Sequence, residues 1–316
     1  MSSEAIDGND GAVIKWGKEY QAGDYSYTHD DSVEGLFTKE KLGSVSWHSG
    51  WDQANLMRYA TVANQLVKIK RESSEQQVRV LDIGCSAANL YTFWNCSYAN
   101  PGRPRLDYVG LEVRQDPVDK ANAHWGPKNL KSVNKCNVYL RDVITDPISN
   151  LDGDFDVIVM QEVIEHLPKD AALRCIKDAY NKLRPGGVFI VSTPNPKKHE
   201  GQHFVWEDSH VYEYALWEMM NILKDEGFLA VCVSGWLGKA HHMKPRMSEQ
   251  ERAIYDNLSN VSSGYACSVI AYMNPDLAEC YTIVAKKASD ISKREMPKVE
   301  SYAKFYEPKP IAERKE

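Results

Sequence analysis

Long apolar runs are what this chain lacks first. Nowhere do eighteen apolar residues follow one another, and the opening residues hold no apolar core of a leader peptide. The first absence excludes a helix long enough to cross a bilayer, and the second sets the expectation of a cytoplasmic protein. An excess of positive charge is missing too. Lys and Arg number 38 against 44 Asp and Glu, a formal charge of −6. Nucleic-acid binding by bulk charge is thereby excluded, and only a local basic face is left to such a role. The seven cysteines, at 85, 96, 136, 175, 232, 267 and 280, are odd in number and show no Cys-x-x-Cys spacing. They read as reduced thiols, neither a disulfide framework nor a zinc site. Internal repeats and low-complexity tracts are also absent. What remains, with 43% hydrophobic and 26% charged residues over 316 positions, is an ordinary globular composition. It suits one large α/β domain with additions.

Along the chain, residues 1–49 form a polar start followed by an arm that holds Trp16, Tyr20, Tyr25, Tyr27, Phe37 and Trp47. So many aromatics predict an arm that packs on the domain, as a lid or simply on the sheet edge. Leu56, Tyr59, Ala60, Ala63, Leu66 and Val67 recur at helical spacing and predict an amphipathic helix from Trp51 to about Lys70. Strand candidates follow at 78–83, 107–112, about 136–141, 155–160 and 187–192, alternating with helical segments. Alternation of this kind implies right-handed crossovers and a parallel sheet covered on both faces. Residues 210–226 read as a helix ended by Gly227, with Trp217, Met220 and Leu223 as its apolar face. Two late strands, at 228–233 and 277–286, are split by an insertion at about 237–275. The main domain thus spans 50–287, and 288–316 is an extended tail.

The first strand runs through Val80-Leu81-Asp82-Ile83 into the turn Gly84-Cys85-Ser86-Ala87-Ala88. Such a turn presents backbone N–H groups and a helix N-terminus at the C-terminal edge of a sheet. An acid, Glu112, ends the second strand; Arg141-Asp142-Val143 ends the third; Gln161 and Glu162 end the fourth; Arg184-Pro185-Gly186-Gly187 leads the fifth. This ordered series resembles the class I S-adenosylmethionine-dependent methyltransferases over roughly residues 50–286. The usual third glycine of the loop is missing, and Ser86 and Ala88 stand at glycine-favoured positions. The resemblance implies a Rossmann-like fold, a seven-stranded, mostly parallel sheet with an antiparallel last strand, and S-adenosylmethionine as cofactor. It implies that Asp82, Gly84, Cys85 and Ser86 face the methionine end, Glu112 the ribose hydroxyls, Asp142 and Val143 the adenine, and Gln161 the pocket floor. Gly84 suits close backbone approach, and a carboxylate such as Glu112 can accept two hydroxyl protons.

Methyl transfer to a hydroxyl needs positioning and removal of a proton, work suited to histidine. His166 and His210 are the candidates, with His199, His203, Phe204, Trp206, Tyr212 and Tyr214 nearby in sequence. Glu162, Glu165 and His166 would share one face of a helix. With His203 they form a Glu-x-x-Glu-His plus distant His pattern, similar to small-RNA 3′-terminal ribose methyltransferases, which would imply a divalent metal. The same segment is also widespread in metal-free relatives, so no metal is assigned. His241-His242, Lys244 and Arg246 open the insertion, as an acceptor-shaping element or as a solvated basic loop. The resulting expectation is transfer of a methyl group to O or N of a small molecule. Two rivals remain: a nucleic-acid acceptor, favoured by Lys244 and Arg246 and opposed by net charge and a missing Asp/Asn-Pro-Pro-Tyr tetrad, and a degenerate binding module. Oligomeric state is not legible.

Overall fold

The computed structural model describes residues 50–72, 77–97, 104–126, 134–196 and 209–288. The expected lid at 1–49, the tail beyond Ala288, and Cys96, His199, His203, Phe204 and Trp206 lie outside the described backbone or side chains.

The elements run α1 (Gly50–Glu72), β1 (Gln77–Ile83), α2 (Asn89–Ser97), β2 (Arg105–Glu112), α3 (Gln115–Trp125) and β3 (Lys135–Leu140). They continue with β4 (Phe155–Gln161), α4 (Lys169–Lys182), β5 (Leu183–Pro194), α5 (Leu216–Asp225) and β6 (Phe228–Leu237). Short α6 (Ala240–Met243), α7 (Glu249–Ser259) and α8 (Ser263–Met273) precede β7 (Cys280–Lys287). The seven strands form one sheet in the order β3-β2-β1-β4-β5-β7-β6. The first five run parallel, and β7 lies antiparallel between β5 and β6.

Strand alternation builds the two faces. Val78, Val80, Val157 and Val159 point to the side covered by Tyr59, Val62 and Leu66 of α1, Tyr91 of α2 and Val118 of α3. Leu81, Ile83, Ile158 and Met160 point to the other side, under Ala172 and Ile176 of α4 and Met219 and Leu223 of α5. Central strands buried on both faces carry apolar residues at successive positions, Val80-Leu81 in β1 and Val157-Ile158-Val159-Met160 in β4, which is why they stand out in the sequence. The order reverses between β1 and β4, so their C-terminal ends open a crevice at the topological switch point.

Three local expectations are corrected. Residues 209–215 are irregular, and the helix is confined to Leu216–Asp225. Main-chain N–H groups of Val211 and Tyr212 donate to the Glu165 carbonyl (2.7 and 3.1 Å), so they are not available to a helix. Consequently the buried face of α5 is Leu216, Met219 and Leu223, while Trp217 is 42% exposed. The segment after β4 is a single 3-10 turn, Ile164–His166, with Glu162 outside it at φ +55°, so Glu162, Glu165 and His166 share no helical face.

Candidate active site at the C-terminal edge of the sheet

The crevice is lined by the turn after β1, the tips of β2, β3 and β4, and Arg58 and Tyr59 of α1. The turn after β1 hangs from β2: Gly84 N and Cys85 N both donate to Leu111 O, at 2.8 and 3.0 Å. Gly84 sits at φ +71°, and a Cβ there would lie 2.2 Å from Val163 Cγ2. Its bare backbone therefore lets the turn after β4 pack directly on the turn after β1. Ser86 (φ +50°) and Ala88 (φ +61°) hold the left-handed conformation that the missing glycines would provide. With Glu162 they are the only non-glycine residues at positive φ among the described residues. Ser86 and Glu162 line the crevice, and Ala88 closes the turn that forms its wall. L-residues pay about 1–2 kcal/mol each for that conformation, and such strain concentrates at functional sites.

Each expected cofactor residue can be placed. Asp82 lines the crevice but is 5% exposed and accepts a 2.6 Å bond from Tyr108 Oη. Burial lifts its pKa to about 7, against the Tyr108 hydrogen bond and the Arg58 charge. Cys85 is buried with its sulfur over Gly110, so it offers the crevice backbone only. Glu112 receives Ser86 N (3.0 Å) on Oε2, and Arg114 N (3.0 Å) and Arg114 Nε (3.2 Å) on Oε1. Of roughly four lone-pair sites on a carboxylate, three are engaged. Asp142 accepts from Ile144 N at 2.9 Å through Oδ1, an Asx turn that holds Val143 in the crevice wall. Gln161 lines the floor, and its Nε2 is buried with no hydrogen-bond partner among the described residues; the same is true of Asn89 Oδ1 and Arg58 Nε.

Arg58 is the residue that sequence reasoning missed. It reaches the crevice from α1 with its guanidinium 5.0 Å from the Tyr59 ring and 5.1 Å from that of Trp236. The signal was available, because Arg58 is four residues before Val62 and eight before Leu66, on the buried stripe of the helix. A cation at that position has to meet a charge or a ligand.

Beside the crevice, the loop 209–215 is pinned to the turn after β4. Besides the two bonds to Glu165 O, the His166 Nδ1 lies 3.1 Å from Ser209 O. A carbonyl only accepts, so Nδ1 carries the hydrogen. Burial, then the neighbouring His210, lowers the His166 pKa to about 4. The His210 ring lies 4.8 Å from that of His166, nearly perpendicular, and its Nδ1 is 2.5 Å from Glu213 Oε1. Glu165 accepts from Thr193 Oγ1 at 2.9 Å, and Glu162 from Ser192 Oγ at 2.7 Å. Burial raises both carboxyl pKa values, that of Glu165 further through the charges of Glu162 and Glu213. The ligand-type group formed here is Glu165, His166 and His210, with atoms within 4.8 Å of one another; Glu162 is not part of it.

In the β6–β7 connection, His242 Nδ1 is 2.7 Å from Glu279 Oε1. Lys244 lies over the Tyr255 ring, and Arg246 donates to Asp276 O. Both cations named for a nucleic-acid face are exposed. Among the described residues no helix is long and apolar enough to cross a membrane.

Residues 81–189 match a family model described as a methyltransferase domain. A ubiquinone biosynthesis O-methyltransferase of Psychrobacter cryohalolentis is 29% identical over 123 residues, 38% of this chain and 43% of that protein. One from Methylococcus capsulatus is 25% identical over 159 residues, 49% of this chain and 60% of its own length. The chain therefore spans between two fifths and three fifths of these curated relatives. Among solved structures, the [4+2]-cyclase SpnF shares the fold, with a TM-score of 0.51, 19% identity, and coverage of 76% of this chain and 83% of that one. Residues 81–189 thus match a methyltransferase domain, and strand order and the glycine turn with its acid-tipped neighbours are in keeping with that likeness.

Proposed function

We propose that this chain transfers a methyl group from S-adenosylmethionine to a hydroxyl of a small molecule. The observation that carries the reading is convergence: the Gly84 turn, the acids Glu112 and Asp142, and the cation Arg58 all line one crevice at the switch point of the sheet. The residues present suit that cofactor. Arg58, whose Nε has no hydrogen-bond partner among the described residues, would hold the carboxylate end against the N-terminal turn of α2. Glu112 would take the ribose hydroxyls once the Arg114 guanidinium leaves Oε1, its main-chain donors staying in place. Asp142 would use its second oxygen for the adenine amine, with Val143 against the ring. Cys85 and Ser86 would contribute backbone, Asp82 the support under the methionine end, and Gln161 Nε2 a donor at the floor.

When bound, the cofactor supplies a methyl group on a positively charged sulfur that is already a good leaving group. The chain's own task is to position the acceptor and take its proton. His166 lines the crevice, the His210 ring lies 4.8 Å from it, and the two would divide that task. His166, low in basicity and tied to Ser209 O, orients the wall; His210, backed by Glu213, accepts the proton. Support for oxygen as the acceptor comes from the relatives named O-methyltransferases. Nothing favours the nucleic-acid rival. Against a degenerate module stands the turn itself, which keeps its left-handed shape without glycine at 86 and 88. We place the enzyme in the cytoplasm.

Calorimetric titration of S-adenosylmethionine tests the reading. Binding should weaken at least about tenfold in Glu112→Ala and in Arg58→Met, the loss of a charged hydrogen-bond partner. Equal affinity in wild type and both variants would refute the assignment of the crevice.

A further inference from the structure

We propose that Glu162 is a specificity-determining residue that makes the crevice prefer the charged methyl donor over the neutral product left after transfer. The inference deepens the cofactor assignment made above and rests on it.

Four acids line the crevice, Asp82, Glu112, Asp142 and Glu162, and the cofactor reading employs the first three. Glu162 is the one left without a task. Its place is at the methionine end of the crevice. The next residue, Val163, is the one whose Cγ2 would meet a Cβ on Gly84 at 2.2 Å, so the turn after β4 packs directly on the turn after β1. The main chain of Glu162 stands at φ +55°, held there by donation of its N–H to Ser192 O at 3.0 Å. That region favours glycine, and a long acidic side chain kept in it at a crevice wall points to a use for the side chain. Fully buried Ser192 donates its hydroxyl to Glu162 Oε1 at 2.7 Å, which fixes the carboxylate and leaves Oε2 with acceptor capacity.

The chemistry follows from what changes between the two compounds. S-adenosylmethionine has a positive sulfur; once the methyl group has gone, the C–S electron pair stays behind and S-adenosylhomocysteine is a neutral thioether. Adenine, ribose and carboxylate are common to both, so Asp142, Glu112 and Arg58 hold the two alike. A carboxylate beside the sulfur acts on one of them alone and so sets their ratio. Glu162 is partly buried, where opposite charges are screened less than in water. Burial raises its pKa, while the Arg58 charge, the Ser192 hydroxyl, His210 and the Cys280 thiol lower it. A sulfonium adds one more cation and favours the ionised form further. Loss of that attraction on transfer helps the product leave.

The experiment uses the full chain as wild type, Glu162→Gln, Glu162→Asn and Glu112→Gln, and needs no turnover. Calorimetry gives the Kd of S-adenosylmethionine, S-adenosylhomocysteine and sinefungin, an analogue with an amine-bearing carbon, positively charged, in place of the sulfonium. Thermal melts confirm that each variant is folded, and asparagine, which tolerates the left-handed region, stands in should the glutamine variant not fold. In both neutral variants the ratio of the S-adenosylhomocysteine Kd to the S-adenosylmethionine Kd should fall at least about tenfold, as expected for loss of one charged partner. Sinefungin should lose affinity with S-adenosylmethionine, and S-adenosylhomocysteine should stay within about threefold of its wild-type value. Glu112→Gln, acting on the shared ribose, should weaken all three alike. A ratio that stays within threefold of wild type in both neutral variants overturns the proposal and leaves the cofactor assignment standing. So does an equal loss for all three ligands, which a merely structural residue would give. A wild type that binds none of the three overturns the cofactor assignment and this proposal with it.

Discussion

Position 86 offers a sharp test of whether the cofactor turn has the described backbone. Ser86 sits at φ +50°, where a side chain costs about 1–2 kcal/mol relative to the right-handed region. Replacing it by glycine removes that strain, but the more flexible unfolded chain costs about 0.5–1 kcal/mol. The net expectation for Ser86→Gly is a gain of roughly 0.5 kcal/mol, the difference between those two effects. Its backbone N–H still reaches Glu112 Oε2, so cofactor affinity should change by less than about threefold. Ser86→Val should go the other way by about 1–2 kcal/mol or more, because a β-branched residue tolerates this region worst. Position 84 gives the steeper case. There an added methyl meets Val163 Cγ2 at 2.2 Å as well as φ +71°, and Gly84→Ala should cost about 3 kcal/mol. Urea unfolding with a common slope measures all three. Stability must fall in the order Ser86→Gly, wild type, Ser86→Val. A valine variant as stable as wild type would refute the left-handed turn, and with it the geometry of the crevice.

Two further expectations concern pH. Asp82, raised to about 7 in the folded protein, is held protonated where the unfolded chain has already ionised. Stability should therefore fall as pH rises from about 4 to 7, by at most about 4 kcal/mol, and stay low above that. Asp82→Asn, still able to accept from Tyr108, should flatten this limb in melts taken between pH 4 and 8; an unaltered limb would disprove the cause. His166, lowered to about 4, contributes stability that is full above its unfolded pKa near 6.5 and lost as pH falls towards 4. His166→Asn should remove that acid sensitivity, and denaturant titrations at pH 4.5 and 7.5 in which the variant loses as much stability as wild type would disprove it.

How far the sequence reaches depends on the range of the interactions involved. The inner parallel strands are legible because their apolar stretches are buried on both faces, while β3, at the sheet edge, buries only Cys136 and Val138; β1 at Gln77–Ile83 falls within a residue of expectation. The helix expected from Trp51 runs Gly50–Glu72, its stripe of Tyr59, Val62, Ala63 and Leu66 being a local pattern. Residues 209–215 fail for the opposite reason. Their apolar side chains fit a helix, but N–H groups of Val211 and Tyr212 belong to Glu165, far back in the chain, and no local pattern records that. Glu112 shows the same limit in the site. Its place at a strand tip is readable, whereas the Ser86 N–H that reaches it from the turn after β1 is a tertiary fact. The glycine turn at 184–187 is continuous with β5, pairing Leu183 with Phe155 before a register shift.

Arg58 and the Glu213–His210 pair lie on opposite flanks of the matched segment 81–189, one before it and one after it. The matched segment itself supplies the Gly84 turn, Glu112 and Asp142 of the crevice. The cation and the imidazole–carboxylate pair both lie outside that match. A hybrid carrying only residues 81–189 of this protein in a relative's frame should therefore inherit a nucleoside pocket and take its choice of acceptor from the host.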